Sequence, residues 1–151
     1  MHEVFKKRKS TRSYNSGKPV EKEKLEEILE AAHSAPSAGN LKARQILTVT
    51  DKETRERLAE AAFGQDFVAE APVVLVFAVL PKVSAQKYGE RGKDLYALQD
   101  ATIAASFAWL QTVNLGLSGC WVGAFSEEEV RNILNLDSDK KPIALLPIGY
   151  E

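Results

Sequence analysis

The chain has 151 residues, 44% hydrophobic and 27% charged, with a formal net charge of -1. That balance suits one globular domain over 1–151 and gives no sign of a surface built for nucleic acid or an anionic membrane. A single cysteine, Cys120, rules out an internal disulfide and a Cys-rich metal site, and His2 and His33 offer no metal-binding spacing. The N-terminus is too polar for a signal peptide, and the longest apolar run, 72–81, is too short to span a bilayer. These features predict a cytoplasmic protein.

Residues 1–9 predict a turn or two of helix, with Val4 and Phe5 as its apolar contacts. A basic run follows, and 13–19 is a turn-rich connector. Leu25, Ile28, Leu29 and Ala32 recur at helical spacing, which predicts a helix over 20–35 that Pro36 ends. Residues 35–40 are small and turn-forming. Residues 45–50 form a β-branched strand, and Asp51 caps a helix reaching about Ala62. Residues 63–72 predict irregular chain or a short helix. The apolar run 73–80 predicts a strand buried on both faces, and 81–92 a polar, mobile loop.

Asp94 begins a long helix that breaks at Gly116. Its stretch 101–110 is apolar or small on every side, so it predicts burial all round. One small domain can hardly wrap such a helix, which predicts a homodimer with a core-like interface. The segment 116–125 holds a short strand. Ser126 caps a helix with Glu129 three residues on, and 142–149 is a last buried strand interrupted by Pro147. About four strands with four or five helices predict a three-layer α+β fold, with no regular β–α alternation to suggest a doubly wound sheet.

Three stretches could carry chemistry, and each has a plainer reading. Arg8, Ser10 and Arg12 alternate, so forked guanidinium donors and a hydroxyl could converge on one anion. The same run is also what a solvated basic terminus looks like. The small residues of 35–40 let backbone approach a flat ligand, with Ser37 and Asn40 as hydrogen-bonding groups, or they simply turn the chain. The glycine-rich 116–125 could aim backbone N–H groups at acceptors, or make a tight turn into a strand. Cys120 has no base beside it in sequence and reads as a small hydrophobe. Carboxylate pairs, Ser/His/Asp sets and phosphate loops do not stand out, so a cofactor would have to supply any chemistry.

The order of these motifs is informative. Arg-Lys-Ser-Thr-Arg comes first, at 8–12, followed by Tyr14. Then come Ala-Pro-Ser-Ala-Gly-Asn at 35–40, Gln65 with Phe67, Val68, Ala71 and Pro72, and Asp100-Ala101 with Ile103, Ala104 and Ala105. Gly-Cys-Trp-Val-Gly-Ala-Phe at 119–125 follows, and Pro142-Ile143 through Pro147-Ile148-Gly149-Tyr150 closes the chain. This resembles the nitroreductase family of flavoproteins, its short minimal members in particular, from about Phe5 to Tyr150.

The resemblance implies an α+β, three-layer nitroreductase-like fold with a mixed central sheet flanked by helices, in an intertwined homodimer with FMN at the subunit interface. It implies an FMN-dependent oxidoreductase. NADH or NADPH as co-substrate would reduce the flavin at N5, and a nitroaromatic, quinone or similar small acceptor would then be reduced in ping-pong fashion. A flavin-binding or flavin-delivery protein with little turnover is the alternative that the same residues allow, and a dimeric scaffold without FMN is a third. Carried over by position, Arg8 and Arg12 would hold the FMN phosphate, with Ser10 on the ribityl or pyrimidine side and Lys9 near the ring or ribityl. Pro36, Ser37 and Ala38 would come from the partner subunit to lie against the flavin, and Asn40 would sit near the phosphate end. Gln65 would reach the pyrimidine edge, and Trp121 and Val122 would line the ring face. The N–H of Gly123 would lie near N5 and that of Ala124 near O4. Many relatives carry a Lys or Arg shortly after the closing Gly-Tyr. The sequence given has Glu151 there, so either FMN binds less tightly or Arg8 and Arg12 must suffice for the phosphate. The short 81–92 segment implies a more open pocket and broad acceptor tolerance.

Overall fold

A computed structural model describes residues 1–151. Short side chains and stiff β-branched ones set the centre. The strand β2 (Val73–Val79) is buried at every position, as its continuous apolar run predicts. It pairs with β1 (Arg44–Val49) on one side and with β4 (Lys141–Gly149) on the other. A two-residue strand, β3 (Ser118–Gly119), completes the order β1-β2-β4-β3. These pairings are all antiparallel. The parallel component of the expected mixed sheet is a single bridge, Ser10 to Gly119.

Alternation along β2 sorts its side chains to two faces. Val74 and Val76 join a core with Leu58, Val68 and Val130, beneath α3 (Lys52–Ala61), α4 (Phe67–Glu70) and α7 (Glu127–Ile133). Val73, Leu75 and Phe77 join a second core with Ile28, Ala32 and Ala104, beneath α2 (Lys22–Ser34) and α6 (Ala97–Asn114). The result is helices on both faces of a sheet, the three layers that the sequence predicts. No helix is long and apolar enough to cross a membrane.

Four local expectations need correction. Phe5, in α1 (Glu3–Lys7), is exposed rather than packed, and only Val4 is half-buried. Residues 81–92 are not a loop. Pro81 opens a helix, α5 (Pro81–Arg91), at the position where its missing N–H costs least. Gly89, at φ 58°, breaks that helix, and a wide turn (Gly92–Tyr96) leads into α6. Gly92 lies so close to α5 that a Cβ there would come within 2.6 Å of the Ser84 carbonyl, so packing holds a segment whose composition reads as loop. Pro147 does not interrupt β4. Its carbonyl faces away from β2, accepting from Cys120 N–H at 3.4 Å, so its own nitrogen points the same way and no β2 bond is lost.

The fourth concerns α6. Ala101, Ala104, Ala105 and Ala108 are buried, but Ser106 and Phe107 are exposed, and Thr102, Ile103 and Leu110 only half-buried. Burial all round therefore does not hold within one chain. An apolar stripe from Leu98 to Leu110 is left uncovered.

Candidate functional site

Two groups of the expected residues form, one towards each end of α6. The first is built on the sheet edge. Thr11 N–H donates to the Gly119 carbonyl at 3.2 Å, next to the Ser10–Gly119 bridge, so the 8–12 segment runs beside β3. Tyr14 fastens it from below. Its buried hydroxyl lies 2.9 Å from the Thr11 carbonyl and 3.2 Å from that of Pro147, and burial raises its pKa.

An extended segment sends alternate side chains to opposite sides. Arg8, Ser10 and Arg12 gather on one side, around the buried thiol of Cys120. Burial pushes that thiol up, and Arg12, Ser10 and Arg8 all oppose the shift. Lys9 and Thr11 turn the other way, onto the Glu151 carboxylate, at 2.9 Å and 2.7 Å. These two donors hold Glu151 below the usual carboxylate range. Lys9 is thus engaged with Glu151, on the side away from Ser10 and Arg12. A groove of about 500 Å³, lined by residues 9–13 and Glu151, runs along this edge.

The chain then passes outward. Val122 exchanges both backbone hydrogen bonds with Leu145, at 2.9 Å each, and its side chain is buried in the α3-side core. The Val122 side chain thus points into the core, away from the exposed edge that follows it. Trp121, one residue earlier, faces the other way and is half-buried. Gly123 and Ala124 are exposed, and neither amide N–H has a hydrogen-bond partner in the chain. Two consecutive free donors thus stand beside an aromatic ring. A Cβ at Gly123 would come within 3.3 Å of the Trp121 indole nitrogen, so the bare backbone keeps this edge open. Gln65 braces it. Its Nε2 donates to the Ala62 carbonyl at 2.9 Å and the Ala124 carbonyl at 3.0 Å. That leaves the Gln65 Oε1 as the atom able to meet a ligand, as an acceptor.

The second group is the turn after α2. Gly39, Asn40 and Lys42 all take positive φ, near 60°, 56° and 50°. Such a run needs outside support, and two buried charges missed in the sequence supply it. Asp100, 2% exposed on α6, accepts from Ala38 N–H at 3.0 Å and Ala43 N–H at 3.3 Å. Arg44, at the start of β1, donates to the Ala35 carbonyl at 2.9 Å and to those of Ala32 and His33 at the end of α2. Burial lowers the Arg44 pKa and the nearby Asp100 opposes this. Ser37 Oγ accepts from Lys42 N–H at 2.9 Å. The turn presents Pro36, Ser37 and Ala38 to an open cavity of about 640 Å³ beside the first turns of α6. Each missed charge had a weak signal in sequence: Asp100 is an acid at the edge of an apolar run, and Arg44 a cation leading a β-branched strand.

The two groups do not meet within one chain. Trp109 lies beneath the first and Asp100 anchors the second, nine residues apart on α6, or about 13 Å at 1.5 Å per residue. The Nitroreductase family model matches residues 5–66 and 61–150. This chain belongs to the nitroreductase family. It is 34% identical to an NADH dehydrogenase of Thermus thermophilus, over 95% of this chain and 83% of that one. It is 32% identical to an FMN reductase [NAD(P)H] of Bacillus subtilis, over 99% and 66%. An FMN-dependent nitroreductase from Clostridium difficile superposes with a TM-score of 0.84 at 31% identity, covering 98% of this chain and 86% of the other. The nitroreductase fold thus accounts for the three layers.

Proposed function

We propose that this chain is an FMN-dependent NAD(P)H oxidoreductase that works as a homodimer. The pair of free, exposed amides at Gly123 and Ala124, beside Trp121 and on the same edge as Arg8, Ser10 and Arg12, carries this reading. The residues fit FMN in kind. Two guanidinium groups and a hydroxyl suit a phosphate, an aromatic side chain suits a flat ring, and a Gln carbonyl suits the single imide N–H of a flavin. When bound, FMN would supply the hydride chemistry that links NADH or NADPH to a small acceptor.

The chain's own part is to hold, orient and shield. Arg8 and Arg12 neutralise the phosphate charge. The amides of Gly123 and Ala124 stabilise negative charge that reduction places on an acceptor edge, and fixed dipoles of this kind need no reorganisation during the reaction. The 36–38 turn of a second copy closes over the ring and excludes water. The uncovered stripe on α6, from Leu98 through Phe107 to Leu110, is the surface that such a copy would bury. Release of the nicotinamide before the acceptor arrives gives ping-pong kinetics, and the pocket accepts nitroaromatics and quinones alike.

The test is anaerobic. Purified protein loaded with FMN is titrated with NADH and with NADPH, then given an acceptor. Bleaching of the flavin colour followed by its return supports the reading. Colour that neither nicotinamide bleaches identifies a flavin carrier instead, and a chain that takes up no FMN overturns both. Sedimentation at micromolar concentration checks the dimer, and a monomer there removes the partner's turn from the site.

A further inference from the structure

Trp109 has no assigned part in the site, and its surroundings make it a poor choice for packing alone. It lies on α6 beneath β3, where a Cβ on Gly119 would come within 3.2 Å of its ring. Its indole Nε1 is buried and has no hydrogen-bond partner. A stranded donor of this kind is costly, and a leucine of similar reach would fill the space without one. What a leucine cannot offer is a ring face. The Arg8 guanidinium lies over that face, 4.6 Å from the ring centroid.

Arg8 has its backbone fixed as well. It closes α1, its N–H donating to the Val4 carbonyl at 3.0 Å. Without Trp109 the long side chain beyond that fixed backbone would range over solvent. With it, the guanidinium is drawn to the electron-rich face and held on the side where Ser10 and Arg12 gather. The same indole supports Gly119, the residue that receives Thr11 N–H, so one side chain sets both the cation and the segment that carries it.

We propose that Trp109 is a positioning residue that pre-orients Arg8 for the phosphate of the flavin cofactor. This rests on the reading above that the site holds FMN through Arg8. Its consequence is selective. Trp109 should matter to FMN, which has a phosphate, and not to riboflavin, which lacks one. A residue that merely packs would affect both flavins alike.

The experiment measures dissociation constants for FMN and riboflavin by flavin fluorescence, in the wild-type chain and in Trp109→Leu, Trp109→Met, Trp109→Phe and Arg8→Ala. Trp109→Leu is expected to weaken FMN about five- to thirtyfold and leave riboflavin unchanged. Trp109→Phe, which keeps a ring, is expected to recover most of the loss. Trp109→Met, flexible enough to fill the gap, replaces Trp109→Leu if that variant does not fold by circular dichroism. Equal weakening of both flavins, or no weakening of FMN in a folded variant while Arg8→Ala shows its loss, overturns the inference and leaves the functional reading intact. A wild-type chain that binds neither flavin overturns both.

Discussion

The two ends of α6 solve opposite problems. Near its C-terminus, Trp109 and Gly119 support a segment whose functional groups keep their capacity: the Gly123 and Ala124 amides have no partner in the chain, and Arg8 and Arg12 gather around a buried thiol with no carboxylate paired to either. Near its N-terminus, Asp100 spends both carboxylate oxygens on Ala38 and Ala43, and the turn it holds presents mainly shape. One end keeps its hydrogen-bonding capacity for a ligand. The other consumes its capacity to keep a strained turn rigid. The contrast predicts that damage at the N-terminal end is read mostly as lost stability, and damage at the C-terminal end mostly as lost affinity.

The largest effect should come from the clamp. Asp100→Ala leaves one buried and one half-buried amide without an acceptor, so unfolding free energy should fall by about 2–4 kcal/mol, and thermal melts measure it. An unaltered melting temperature would show that the turn holds itself. At the other end, Arg8→Ala removes one charge-assisted phosphate contact. FMN affinity should drop by about 1.5–3 kcal/mol, roughly ten- to a hundredfold, with stability nearly unchanged. Equal loss of stability would erase the contrast. Gly123→Val places bulk on the free-amide edge. It should weaken flavin binding by about 1–3 kcal/mol while the fold survives, because the position is exposed. Calorimetric titration with FMN reads this, and full affinity would move the ring elsewhere.

The smallest effect lies beneath the same edge. Burial raises the Cys120 pKa above its ordinary 9.0. The neutral thiol is therefore the form the fold favours. Its contribution is fully present below pH 9.0 and is lost as pH rises through the folded value. Denaturation from pH 8 to 10 should show a shallower decline in Cys120→Ala than in the wild type, and identical slopes would place the thiol in solvent.

What could be read in the sequence was whatever local spacing decides. Ile28 and Ala32 fall on the buried face of α2, Asp51 caps α3 through Thr54 at 2.9 Å, and Ser126 caps α7 through Glu129 at 3.3 Å. What could not be read was whatever depends on a distant partner. Trp109 looks like any apolar residue of α6 until Arg8, a hundred positions earlier, lies over it. Val122 and Trp121 are adjacent in a promising motif, and only the pairing with Leu145 decides which of them faces inward. The α5 segment has the polar composition of a loop, and the close approach of Gly92 to Ser84 makes it a helix.

The separation of the two groups along a single rigid helix has a genetic consequence. If each pocket draws Arg8 from one copy and the 36–38 turn from the other, two alleles that are each inactive alone need not be inactive together. A mixed dimer of an Arg8→Ala copy and a copy with a collapsed turn would concentrate both lesions in one pocket and leave the other whole. Complementation between alleles, ordinarily a sign of separate proteins, would then report how one chain divides its labour.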